Sequence, residues 1–167
     1  MKTSEFDDLI QHLADAEWVR RPQGEIAYAT KTAFRARDRL IAAGNEAVPA
    51  VVDCLTSKGP YNQKALAAQF LGEIGDARAV RALIKMLRHP EVTVRGYSAE
   101  ALGKIGDGRA VAPLRDMLDR PGENSSVRTY AQGALNRLSE VAPTTATKEV
   151  APTTATKTEK KWWQFWK

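Results

Sequence analysis

The chain has 167 residues, 43% hydrophobic and 27% charged, an ordinary globular composition that excludes a fibrous or wholly disordered protein. Its net charge of +5 is concentrated at one end: residues 1–140 hold 20 Lys/Arg against 18 Asp/Glu, and residues 141–167 hold five lysines against two glutamates. A basic footprint spread over the folded part is therefore absent and no nucleic-acid partner is expected; the single cysteine excludes an internal disulfide.

The opening MKTSEFDDLIQHL carries acids where a signal peptide needs an apolar stretch, which points to the cytoplasm. Phe6, Leu9, Ile10 and Leu13 share one side of a helix predicted near 4–18, read as an N-terminal cap. Further helices are predicted near 27–43, 46–56, 62–74, 77–88, 92–105, 108–119 and 126–139. Cys54 falls within an apolar helical pattern and reads as a small buried hydrophobe. No apolar run approaches the roughly 20 residues of a membrane-spanning helix.

From residue 71 the sequence repeats. Leu71-Gly72-Glu73-Ile74-Gly75-Asp76-Ala77-Arg78-Ala79-Val80 returns 31 residues later as Leu102-Gly103-Lys104-Ile105-Gly106-Asp107-Gly108-Arg109-Ala110-Val111. A looser copy surrounds Leu40, Gly44 and Asn45, and Val94-Arg95-Gly96-Tyr97 recurs as Val127-Arg128-Thr129-Tyr130 at an offset of 33, which places two extra residues near Pro121–Ser125. Each unit reads as a helical hairpin. Gly75 and Gly106 should stop the first helix, because glycine enters the left-handed region without steric cost. Asp76 and Asp107, with Asn45 in the early copy, should cap the next. Pro90 and Pro121 discourage continuation of the second helix. Two-helix units cannot bury their apolar faces alone, so they must stack. The expected fold class is all-α, a right-handed α-solenoid of antiparallel helix pairs.

The pattern Ala-x-Ala-Leu-Gly-Lys-Ile-Gly-Asp-x-Arg-Ala-Val-x-x-Leu closely resembles the HEAT-like repeats of the phycobilisome-lyase class, over about residues 29–140. The resemblance implies the solenoid fold. It leaves function open, since such repeats serve bilin lyase subunits, a metal-dependent lysine hydroxylase and scaffolds. The hydroxylase relatives hold two irons with His-Glu dipeptides, whereas the histidines here are His12 and His89, neither followed by Glu. The di-iron activity is therefore not expected.

No catalytic residue, cofactor-binding residue or metal ligand is expected, for no nucleophile elbow, phosphate loop or metal-ligand spacing appears. The Gly-x-x-Gly at 72–75 and 103–106 is explained by packing and helix capping. The position-specific polar feature is basic: Arg78, Arg81, Lys85 and Arg88, followed by Arg109 and Arg115, lie on the second helices. In a HEAT solenoid those helices line the concave face, so the cations form either a groove for an acidic protein partner or a solvated face held by ion pairs. Arg95 and Arg128 are expected to bridge to Asp76 and Asp107 as a structural ladder.

After Leu138 the helical pattern ends, and VAPTTATK occurs twice around Glu149, a Thr/Pro/Ala composition expected to be a disordered linker. The chain then closes on Lys160, Lys161, Trp162, Trp163, Gln164, Phe165, Trp166 and Lys167. Tryptophan with lysine suits an anionic membrane surface, rings among the headgroups and ammonium groups on the lipid charge. The competing reading is a pocket on another protein or the groove of this solenoid. The organisation expected is a capping helix and connector (1–28), a repeat solenoid (29–140), a linker (141–159) and a terminal motif (160–167). The function expected is a non-enzymatic adaptor, cytoplasmic or peripheral on the inner face of a membrane, with a bilin lyase-like or chaperone subunit as the alternative. The sequence does not set the oligomeric state.

Overall fold

The computed structural model describes residues 6, 8–10, 18–20, 26–28 and 31–141. Phe6 and residues 8–10 are helical, and Phe6, Leu9 and Ile10 are buried in the core. Leu13 of the predicted cap lies outside the described residues. Next comes a two-stranded antiparallel hairpin, β1 (Trp18–Arg20) and β2 (Ile26–Tyr28), with Val19 opposite Ala27. This corrects the helices predicted across Trp18 and from residue 27. Trp-Val and Ile-Ala-Tyr are β-favouring segments.

Seven helices follow: α1 (Lys31–Ala43), α2 (Val48–Thr56), α3 (Tyr61–Ile74), α4 (Val80–Met86), α5 (Val92–Ile105), α6 (Val111–Leu118) and α7 (Ser125–Val141). They pack as the α-solenoid expected, in which α3, α5 and α7 are first helices and α2, α4 and α6 are second helices. Each second helix is shorter than predicted because a 3₁₀ turn precedes it: Gly44–Glu46, Ala77–Ala79 and Gly108–Ala110. Gly75 and Gly106 end α3 and α5 with φ of 77° each, the left-handed stop expected.

The first helices stack most closely. A Cβ on Gly72 would lie 2.7 Å from Ala101 Cα, and one on Gly103 would lie 2.6 Å from Ala134 Cα. Glycine is needed at both positions because the next first helix occupies the space of a side chain. The core runs continuously through Leu40, Val51, Leu55, Phe70, Leu71, Leu83, Leu102, Leu114 and Met117. Cys54 packs against this core, beside Ile10 and Phe70. Among the described residues no helix is long and apolar enough to cross a membrane.

Candidate partner-binding face

The cations fall into three groups by what their side chains touch. The first comprises Lys64, Arg95 and Arg128, which stand at matched positions on α3, α5 and α7. Lys64 Nζ donates to the carbonyls of Leu55 (3.1 Å) and Ser57, at the end of α2. Arg95 Nη1 donates to the carbonyls of His89 (2.9 Å) and Pro90 (2.7 Å), just past α4. Arg128 reaches Leu118 O, Arg120 O (2.7 Å) and Glu123 O (3.3 Å), just past α6. The last carbonyls of a helix lack internal partners and carry the negative end of its dipole, so a cation there satisfies both needs. Lys64 and Arg128 thus help close α2 and α6, while Arg95 ties down the loop that follows α4. The bridges expected from them to Asp76 and Asp107 are not what forms, because those carboxylates are engaged two residues away.

That engagement defines the second group. The Asp76 carboxylate accepts the Arg78 backbone N–H at 2.8 Å and pairs with its guanidinium at 2.6 Å. Asp107 does the same for Arg109, at 2.9 and 2.7 Å. The guanidinium hydrogen bond, helped by the backbone N–H, holds both carboxyls below their ordinary value. The same Nη2 that pairs with the carboxylate also reaches the preceding unit: Arg78 Nη2 donates to Asn45 O at 2.7 Å, and Arg109 Nη2 to Ala77 O at 3.1 Å. A ladder therefore exists, but Arg78 and Arg109 build it. In the early copy Asn45 contributes its carbonyl, and no side chain caps the 3₁₀ turn there. Arg78 and Arg109, expected on a free basic face, are tied into the fold although exposed.

The buried Glu123 joins both themes. It accepts from Arg95 at 2.6 Å and Arg120 at 3.0 Å, and the Asn124 N–H bonds to it at 3.0 Å. Burial raises its carboxyl, yet the Arg95 hydrogen bond, the Asn124 amide and the two cations bring it below the ordinary range. The sequence signalled this site only as the two-residue lengthening of the loop; Glu123, Arg120 and Lys64 were missed because charge pairing across loops leaves no periodicity.

The third group is Arg81, Lys85, Arg88 and Arg115. Arg81 and Lys85 stand on α4, Arg88 follows two residues past its end, and Arg115 stands on α6; all four are exposed. Their side chains make no hydrogen bond or ion pair among the described residues. Arg88 borders an open depression of about 680 Å³ whose other lining residues are Asp116, Asp119 and Arg120. The basic stripe thus adjoins acids on α6. Among the described residues no cluster of three or more His, Cys, Asp or Glu could hold a metal ion. His89 Nδ1 accepts the Glu91 N–H at 3.1 Å. His12 and the whole terminal motif, Lys160, Lys161, Trp162, Trp163, Phe165, Trp166 and Lys167, lie outside the described residues.

The repeat geometry is matched by a family model for HEAT repeats over residues 45–136. The chain belongs to the HEAT-repeat family. Its repeats are of the phycobilisome-lyase-like class: the complex of CpcE and CpcF of phycocyanin lyase from Nostoc shares 28% identity at a TM-score of 0.56, over 83% of this chain and 54% of that one. Human deoxyhypusine hydroxylase, in complex with glycerol, shares 27% identity at a TM-score of 0.61, over 83% of this chain and 45% of that one. An engineered protein at 22% identity and a TM-score of 0.51, over 83% of this chain and 64% of that one, shares the fold. This HEAT-repeat chain spans about half the length of the first two solved chains. No curated protein matches it.

Proposed function

We propose that this HEAT-repeat chain is a non-enzymatic adaptor that binds an acidic protein partner through Arg81, Lys85, Arg88 and Arg115, and that its terminal Trp/Lys segment attaches it to an anionic membrane surface. The observation that carries the reading is the division of the cations. Lys64, Arg78, Arg95, Arg109 and Arg128 are spent on carbonyls and carboxylates of the fold. Among the described residues, Arg81 and Lys85 on α4, Arg88 just past it and Arg115 on α6 have no such task, and second helices in a solenoid present a surface to partners. Exposed cations without partners steer acidic surfaces and add specificity.

The test is affinity capture with full-length wild type and the variant R81E/K85E/R88E, eluted with salt and compared at matched folding. Loss of the salt-eluted proteins from the variant is expected. Retention of the same proteins would sink the stripe as the binding face.

The likeness to phycocyanin lyase favours a second reading, a lyase-like or chaperone subunit that works with another chain on a bilin-bearing protein. That reading requires a change in bilin absorbance on mixing with such a protein, which the adaptor does not produce. Neither His12 nor His89 is followed by Glu, so the likeness to the hydroxylase supports a shared scaffold and no shared metal chemistry.

A further inference from the structure

The two rows of helices end differently. In the first-helix row, Asn136 stands where Gly72 and Gly103 stand in earlier units, and it is exposed beside Gln132, whose Nε2 donates to it at 3.0 Å. A further first helix could not approach α7 as α5 approaches α3.

Among the described residues, the second-helix row is open at its end. Val80, Leu87, Leu71 and Leu102 are 0–2% exposed in the interior units. Their counterparts Val111, Leu118 and Leu135 are only half-buried. All three line one groove of about 540 Å³ between α6 and α7, whose polar edge is Arg115, Gln132, Asn136 and Ser139. The groove adjoins α7, after which a complete unit would continue into its second helix.

The chain itself leaves α7 at this groove, since Leu138 and Ser139 line it and the helix ends at Val141. In earlier units the segment leaving a first helix becomes the second helix. Here the sequence that follows has no large apolar residue until Trp162, Trp163, Phe165 and Trp166. About 20 intervening residues reach roughly 25 Å if flexible, and an eight-residue helix such as α6 is about 12 Å long. We infer that residues 162–167 fold back into the groove between α6 and α7, their rings covering Val111, Leu118 and Leu135 where the second helix of a complete unit would lie. Tethering supplies an effective concentration on the order of 1 mM, so a segment with a free-peptide Kd of about 0.1 mM is docked about ten to one. The docked state withholds the aromatic segment from a membrane, a regulatory consequence that rests on the attachment reading above; the docking itself does not.

Acrylamide quenching of tryptophan emission in the full chain, without vesicles, tests the docking. The full-length variant W162A/W163A/W166A gives the Trp18 signal to subtract, and the free peptide 160–167 sets the undocked limit. A quenching constant about fivefold below the peptide is expected at that occupancy, independent of protein concentration. It should rise toward the peptide in L118S/L135S with helical circular dichroism retained. If that variant loses its helicity, V111T takes its place with the same outcomes. Quenching equal to the free peptide overturns the inference. So does protection that grows with protein concentration, which assigns the groove to a second copy, and so does protection unchanged by the groove variants. Failure of the full-length chain to sediment with anionic vesicles would remove the attachment reading and leave this result standing.

Discussion

At the scale of single residues, glycine serves opposite purposes along this chain. Gly103 lies against Ala134 with no room for a side chain, whereas a Cβ on Gly133, also within a helix, would meet nothing within 4 Å. G103A is therefore expected to cost about 1–3 kcal/mol through overpacking. G133A is expected to stabilise by about 0.5–1 kcal/mol, because alanine costs the unfolded chain less entropy and leaves no clash. Urea unfolding midpoints check both, and an equal sign for the two would refute the packing described. Glu123 is the other decisive residue. Its side chain is 1% exposed and that of Arg95 13%, so E123A leaves a buried cation without its partner. A loss of about 2–4 kcal/mol is expected in the same measurement. The Gly72 and Gly103 pattern was legible in the sequence because the repeat displays it twice. Glu123 was not, because a carboxylate in a lengthened loop looks the same whether it faces solvent or two arginines.

At the scale of elements, the 3₁₀ turns and second-helix ends are fastened by charge, and this makes the fold acid-sensitive. Asp76, Asp107 and Glu123 have folded-state affinities for protons below their ordinary values. Their contribution is fully present above the unfolded carboxylate range and is lost as pH falls through the folded values. His89 acts in the same direction: burial, and secondarily Lys64, lowers it, so its protonation also opposes folding. Stability should begin to fall below about pH 6.5, where an unfolded histidine titrates, and fall faster through the carboxylate range. A thermal melt series across that interval checks it, and D76A/D107A should flatten the lower part of the curve while costing about 1 kcal/mol per lost cap. The helical hairpins were legible from stripes, glycine stops and prolines. The hairpin at Trp18–Arg20 and Ile26–Tyr28 was not, because three-residue strands are shorter than any period that distinguishes them from a helix end. The ladder was anticipated as a device and misassigned in its members. Sequence spacing placed Arg95 and Arg128 in register with one another, but their side chains bond carbonyls at the helix end and in the loops that follow the second helices.

At the scale of the whole molecule, regularity separates what holds the solenoid from what is left over. Repetition explains the glycines, the aspartates and the cations that close each unit. What it does not explain is the exposed Arg81, Lys85 and Arg88 along and just past α4, Arg115 on α6, and the aromatic end of the sequence. The attachment role of that end carries its own test: full-length chain should sediment with anionic vesicles, and W162A/W163A/W166A should remain largely in the supernatant. Equal partitioning of the two would remove the membrane from the account. The adaptor reading stands most directly on the stripe. With the partner obtained by capture, the measurement is its Kd for wild type and for R81E/K85E/R88E at low and physiological salt. The expected result is affinity for the wild type that weakens with salt, and a loss of tenfold or more in the variant, about 1.4 kcal/mol or above. A Kd unchanged by the charge reversal at both salt concentrations, in a variant of undiminished stability, would contradict it.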